Sequence, residues 1–237
     1  MEPKIIYEDK NFITINKPAG MLTHPIDDKD KELTLVDFII EKYPEIKNIG
    51  DLSTSSGQTR PGIVHRLDKD TSGVILVARN QKYFGYLKNL FQTRQIKKIY
   101  LALVSGKLEP KQGIIEKPIS FKTGSVKRTV WKGKDAKPAI TEYKVKKYFN
   151  FDRQDYSLVE AFPKTGRTHQ IRIHFSSIGH PIIGDQLYGS KKLFNLDRQF
   201  LHAQSIEFTT ENGERIKIET DLPDELKEII DSLSNNR

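Results

Sequence analysis

The chain contains no cysteine. Disulfides, cysteine-ligated zinc, iron–sulfur clusters and thiol catalysis are therefore excluded. No apolar run approaches the ~20 residues that a membrane-spanning helix needs. The first residues, MEPKIIYEDKNF, bring in acidic side chains at once and hold no apolar signal core. A cytoplasmic location, with no membrane partner, is the expectation. Walker A and GxGxxG sequences are missing, so no nucleotide cofactor is indicated. The six histidines make no HExxH pair, and no metal site is expected. No internal repeat or heptad is found.

What is present is a charged globular composition. Of 237 residues, 30% are charged and 36% hydrophobic, with 39 basic against 31 acidic, a net charge of +8. The length suits one large domain or two intimate lobes. A basic balance permits a polyanionic partner, but a soluble basic surface satisfies the same arithmetic. Where the charge lies therefore matters more than its sum.

Short strands are predicted at 5–7 and 12–15, with Lys17-Pro18-Ala19-Gly20 breaking the pattern. Leu35, Phe38, Ile39 and Tyr43 recur at helical spacing. Thr34 and Asp37 form a candidate capping box, and Pro44 stops the helix. Residues 46–60 read as an exposed loop. Gly73–Ala78 reads as a buried strand, followed by a helix that Asn80 caps. Ile99–Val104 reads as another strand, and 107–137 as a turn-rich basic stretch. Strands at 143–145 and 157–162 are expected on either side of a polar connection, KKYFNFDRQD. Ile171–Phe175 reads as extended. A last hairpin turns at Asn212-Gly213, and Leu226, Ile230 and Leu233 mark a terminal amphipathic helix. Strands outnumber helices without regular alternation, which favours an α+β fold with a mixed, mainly antiparallel sheet and flanking helices.

Two polar clusters stand out. The first, Gly62-Ile-Val-His65-Arg66-Leu-Asp68-Lys69-Asp70-Thr71-Ser-Gly73, lies directly before the buried strand. A loop at the edge of a core strand presents functional groups rigidly. A solvated turn, with Asp68 capping a backbone N–H, is the plain alternative. The second is Thr165-Gly166-Arg167-Thr168-His169-Gln170-Ile171-Arg172-Ile173-His174. If extended, Arg167, His169, Ile171 and Ile173 share one face, and Gln170, Arg172 and His174 the other. A basic edge strand is the plain alternative here. Together the clusters offer one nucleophilic carboxylate, Asp68, and guanidiniums to pair with it. Burial alone drives a carboxyl toward its neutral form, and an adjacent arginine keeps it ionised. Spacing does not show that Asp68 and Arg167 meet. Tyr100 follows Lys97 and Lys98 in a predicted strand, placed either to stack on a base or to fill the core. The segment from Lys117 to Lys137 carries seven basic residues, Lys127 and Arg128 among them, one acid and Trp131. That mixture suits a nucleic-acid backbone, as it also suits a solvated basic loop.

These clusters resemble the signatures of the RluA-type pseudouridine synthases. The first cluster resembles one signature. Gly166-Arg-Thr-His-Gln-Ile-Arg172 with Gly179-His-Pro-Ile-Ile-Gly-Asp-Gln-Leu-Tyr-Gly189 resembles a second. Asn16-Lys17-Pro-Ala-Gly20, His24-Pro25, Lys98-Ile-Tyr100 and Leu201-His-Ala203 also match, in order, across residues 5 to 210. The resemblance implies isomerisation of uridine to pseudouridine in RNA without metal or organic cofactor. It implies the pseudouridine synthase fold, two lobes with an active cleft between them.

By the same resemblance, Asp68 is the catalytic aspartate and Arg167 the arginine that pairs with it. Tyr100 is the active-site tyrosine near the uracil, and Arg66 fills the space left by the flipped base. His65, Lys69, Thr71, His169, Gln170, Arg172, Lys17, Lys127 and Arg128 are expected to contact substrate or RNA. Asp68 as a carboxylate can attack covalently, and attack at C1′ and passage through a glycal are the two routes left open. Extruding the target nucleotide costs a few kcal/mol of unstacking, which phosphate and stacking contacts offset.

With the pattern starting near residue 5, a single catalytic domain over 1–237 is expected, without an S4 domain. It is expected to be a monomer with no obligate protein partner. The expected partners are large-subunit (23S) ribosomal RNA or transfer RNA stem-loops. Asp68-Lys-Asp70-Thr71-Ser72 also superficially resembles the DxDxT motif of haloacid-dehalogenase-type phosphatases. That motif needs an apolar strand directly before its first aspartate, whereas His65 and Arg66 intervene here. A non-catalytic RNA-binding module is the other alternative.

Overall fold

A computed structural model describes residues 2–25, 32–51, 60–121, 128–131, 133–190, 193 and 195–235. In chain order these form β1 (Lys4–Glu8), β2 (Phe12–Lys17), α1 (Leu35–Lys42), β3 (Ser72–Ala78), α2 (Gln81–Gln92) and β4 (Lys97–Ser105). Next come β5 (Gln112–Glu116), β6 (Ile119–Phe121), β7 (Arg128–Thr129), β8 (Lys134–Lys137), β9 (Ile140–Phe151) and β10 (Gln154–Pro163). The chain closes with α3 (Gln170–Ser177), β11 (Leu201–Thr209), β12 (Arg215–Glu219) and α4 (Asp224–Asn235). Two compact units emerge, 1–97 with 205–220, and 98–204 with 221–237.

In the first unit β1, β2 and β3 pair antiparallel, and β11 and β12 extend the order. All seven residues of β3 are buried. Val74, Leu76 and Ala78 point one way, into a core with Phe12, Phe208 and the α2 residues Tyr83, Phe84, Leu87 and Leu90. Helix α2 starts where Asn80 Oδ1 accepts the Tyr83 N–H at 2.8 Å. Helix α1 has the expected capping box: Thr34 Oγ1 accepts from Asp37 N–H, and Asp37 accepts from Thr34 N–H at 2.8 Å. Part of the expected 46–60 loop is otherwise. Pro44–Asn48 make a 3₁₀ turn that buries Ile46 completely, and residues 52–59 lie outside the described residues.

In the second unit the order is β11-β4-β10-β9-β5, and β4, β10, β9 and β5 pair antiparallel. A small separate sheet, β7-β6-β8, comes from the basic stretch. The core gathers Leu103 of β4, Val145 of β9, Val159 of β10, Ile171 and Phe175 of α3, and Leu226 and Leu233 of α4.

Two sequence expectations are corrected here. The polar stretch KKYFNFDRQD is not a connection. It is mostly strand, and β9 and β10 form a long hairpin closed by Asp152 and Arg153 alone. Both turn residues have positive φ, 49° and 57°, the left-handed twist that suits a two-residue hairpin turn. The second correction concerns Ile171–Phe175, which is helical rather than extended. Residues 170–175 alternate polar with apolar, a strand-like period. Yet all six are buried, so the helix has no solvent face to give it a period of 3.6. The two-face division of Arg167 to His174 therefore does not hold. His169 adopts a left-handed conformation at the start of α3, and His174 is buried inside it.

Candidate active site

The Asp68 loop is built against β3. Gly62 sits at φ 66°, and a Cβ there would meet the Ala78 carbonyl oxygen at 2.5 Å, so only glycine fits. The close approach lets Ala78 N–H donate to the Gly62 carbonyl at 2.9 Å, and Ile63 bridges Val77. The next contact is made by a side chain. Leu76 N–H donates to His65 Nε2 at 2.9 Å, which puts the ring proton on Nδ1, and the ring stacks on Phe91. His65 thus takes the place of a backbone acceptor beside β3.

Beyond it, Leu67 is clasped by Thr23. The Thr23 hydroxyl donates to the Leu67 carbonyl at 3.0 Å and accepts from its N–H at 3.3 Å. The Asp68 carbonyl accepts Thr71 N–H at 3.1 Å and closes a turn, with Thr71 and Ser72 buried. Lys17, at the end of β2 and opposite Gly73, is completely buried. Its ammonium donates to the carbonyls of Pro18, Met21 and Lys69 at 2.7, 2.8 and 2.9 Å. It thereby ties the Pro18–Met21 turn to the residue after Asp68. Lys69 Nζ pairs with Glu32 at 2.6 Å. Asp68 is half-buried and Arg66 exposed. An Arg66 amino group contacts His24 Nε2 at 3.4 Å. Burial first, then Arg66 and Arg60, push the His24 pKa down to about 4, so its ring is neutral at physiological pH.

The second unit carries the other expected residues. Arg167 is exposed at the end of a loop that Gln170 organises. The buried Gln170 side chain accepts from Thr165 Oγ1 at 2.6 Å and Arg167 N–H at 3.1 Å. Its amide donates to the Ile140 carbonyl at 2.9 Å and Thr141 Oγ1 at 3.0 Å. Arg167 Nε donates to the Pro138 carbonyl at 3.2 Å. His169 Nδ1 meets the Tyr188 hydroxyl at 2.8 Å, and the same hydroxyl accepts Arg128 N–H at 3.1 Å. Arg172 is buried in a bidentate pair with Asp185, at 2.6 and 2.9 Å. Arg128 stacks on the half-exposed Phe121 ring at 3.4 Å, and Trp131 is 74% exposed. Lys127 lies outside the described residues.

Tyr100 is half-buried on β4, across from Ala161, with its ring against the core. Lys98 precedes it by two and shares its strand face, and burial pushes that lysine down to about 8. Thus Gln170 and Arg167 are brought together, as are His169, Arg128 and Tyr188. Reading single residues misses Thr23, Tyr188 and Asp185, because their roles are contacts across long sequence gaps. Among the described residues, no group of three or more metal-ligating side chains occurs, and no helix is long and apolar enough to cross a membrane.

The family described as RNA pseudouridylate synthase matches residues 11–177. The chain is 37% identical over 237 residues to an uncharacterized RNA pseudouridine synthase of Bacillus subtilis, covering all of this chain and 74% of that protein. It is 42% identical over 187 residues to an uncharacterized RNA pseudouridine synthase of Aquifex aeolicus, covering 79% of this chain and 56% of that one. To the ribosomal large subunit pseudouridine synthase D of Nitrosomonas europaea it is 36% identical over 242 residues, covering 98% and 65%. The chain thus spans between about half and three quarters of the length of these relatives. The solved structure of human RNA Pseudouridylate Synthase Domain Containing 1 shares the fold, with a TM-score of 0.74 at 24% identity, covering 99% of this chain and 96% of that one.

Proposed function

Because the chain belongs to the RNA pseudouridylate synthase family, we propose that it isomerises specific uridines in large-subunit ribosomal RNA, with Asp68 as the nucleophile. The observation that carries the assignment to Asp68 is the construction of its loop. A buried lysine, a buried threonine and a histidine used as a strand acceptor hold one short turn, and the carboxylate it presents is only half-buried. Rigid support of that kind fixes a reacting group to the tolerance that catalysis needs. The reaction breaks the bond from C1′ to N1 of uracil and makes one from C1′ to C5. The proton lost from C5 is balanced by one gained at N1.

Arg167 is proposed as the arginine that pairs with Asp68, and Tyr100 as the ring beside the uracil. Arg66 is proposed to enter the space left by the extruded nucleotide, where its exposed guanidinium is free of any carboxylate among the described residues. The choice of ribosomal over transfer RNA follows the relative named a ribosomal large subunit synthase. The protein is proposed to act in the cytoplasm, as a monomer.

The test is to map pseudouridine in ribosomal and transfer RNA from cells with and without this protein, then to supply Asp68→Asn. Loss of a defined set of ribosomal sites on deletion is expected. Asp68→Asn restores none of them while binding RNA within about twofold of wild type, since one neutralised side chain removes no phosphate contact. Near-normal pseudouridine formation by that variant overturns the assignment, and loss confined to transfer RNA overturns the substrate.

A further inference from the structure

Most basic side chains of the first unit that are tied down are tied to acids. Arg79 pairs with Glu8 and Glu45, Lys88 with Asp51, and Lys69 with Glu32. Arg60 and Arg66, at the two ends of the segment that leads to Asp68, differ. Neither has a carboxylate partner among the described residues. Arg60 is half-buried, and its Nε is buried without a hydrogen-bond partner there. Its backbone is fixed, because its carbonyl accepts Ile63 N–H at 3.1 Å ahead of the β3 bridge. Arg66 reaches the neutral His24 ring. Each arginine acts electrostatically on His24, and Arg66 acts on Arg60. The buried, unpartnered Arg60 Nε and the Arg66 guanidinium against His24 make this a cationic site suited to an anion.

We propose that Arg60 grips a phosphodiester of the RNA next to the nucleotide on which Asp68 acts, beside Arg66, which His24 orients. This rests on the RNA reading above, to which it adds Arg60 and His24. Arginine suits the task, since its planar fork meets phosphate oxygens in pairs. Arg60 is a binding residue here. It meets the backbone and leaves the uracil untouched, so it acts on affinity rather than on the chemical step.

The probe is a fluorescent oligouridylate, its affinity measured by anisotropy across a series of salt concentrations for wild type, Arg60→Met and Arg60→Lys. One lost phosphate contact flattens the slope of log affinity against log salt by about 0.7 for a single strand. Arg60→Met is expected to show that change and to bind about tenfold more weakly. Arg60→Lys is expected to keep the slope and lose only part of the affinity. Arg60→Gln retains much of the aliphatic stem and replaces the Met variant if that one fails to fold. An unchanged slope with affinity within twofold of wild type, in either truncation, overturns the proposal. Binding and turnover separate the two readings. If wild type makes no pseudouridine yet truncation flattens the slope, the synthase reading falls and this site stands. If pseudouridine forms and truncation changes nothing in binding, this site alone falls.

Discussion

Replacing Lys17 by methionine separates two accounts of the Asp68 loop. As an RNA contact, Lys17 would bind phosphate from the surface. In the structure its side chain is completely buried and its ammonium donates to three backbone carbonyls. A hydrogen bond to a charged group contributes about 1.5–3 kcal/mol, so three total about 4.5–9 kcal/mol in gross terms. Burying the ammonium costs several kcal/mol, which offsets part of that sum. Lys17→Met refunds the burial cost but strands three partly buried acceptors, and the net loss is about 3 kcal/mol. That is a large share of a typical folding stability of about 5–15 kcal/mol.

The loss is local, so amide exchange read by mass spectrometry is the suitable assay. Peptides covering 17–21 and 67–72 should lose protection by about two orders of magnitude, since about 1.4 kcal/mol corresponds to tenfold. Peptides from β9 and β10 should hardly change. Turnover should fall with the loop's order. Unchanged exchange in 67–72, with weaker RNA binding and a flatter salt slope, refutes the scaffold account and favours the surface-contact one.

Arg172→Met should cost about 3–5 kcal/mol in urea unfolding, because it leaves the buried Asp185 carboxylate without its bidentate partner. Its salt slope for RNA should match that of wild type. Little loss of stability with a reduced slope would mean that Arg172 serves RNA instead. His24 predicts a pH dependence. Its folded pKa of about 4 lies below the ordinary 6.5, so the unfolded chain binds the proton more readily between those values. Stability from this group is complete above about pH 6.5 and is lost as pH falls toward 4. Urea unfolding at pH 7 and pH 5 should show a larger loss in wild type than in His24→Gln, and equal losses would refute the assignment.

Local chemistry made much of the fold legible. The Thr34–Asp37 box, the Asn80 cap and the apolar run Gly73–Ala78 of β3 are each written within a few neighbouring residues. Their hydrogen bonds close locally, so residue types at short spacing suffice to identify them. Helix α3 shows where this stops. Gln170, Arg172 and His174 look like a polar strand face, but each is buried and satisfied by a distant partner: Thr141 and Ile140, Asp185, and Thr141 with Lys117. Packing on every side replaced the helical period with one that reads as extended.

The candidate site divides in the same way. The order and spacing of His65, Arg66, Asp68, Arg167 and Tyr100 lie in the amino-acid sequence alone, and with them the family and the chemistry it implies. The sequence also set the absence of cysteine and the excess of positive charge, both of which are sums over residue types. Only the tertiary structure decided that Lys17 faces carbonyls and that Arg172 faces Asp185. It likewise decided that His65 serves as an acceptor for β3, while Arg60 Nε is buried without a hydrogen-bond partner among the described residues. Whether a charged side chain is scaffold or ligand contact depends on which distant groups fold against it. That depends on contacts far apart along the chain, which spacing within a motif does not encode.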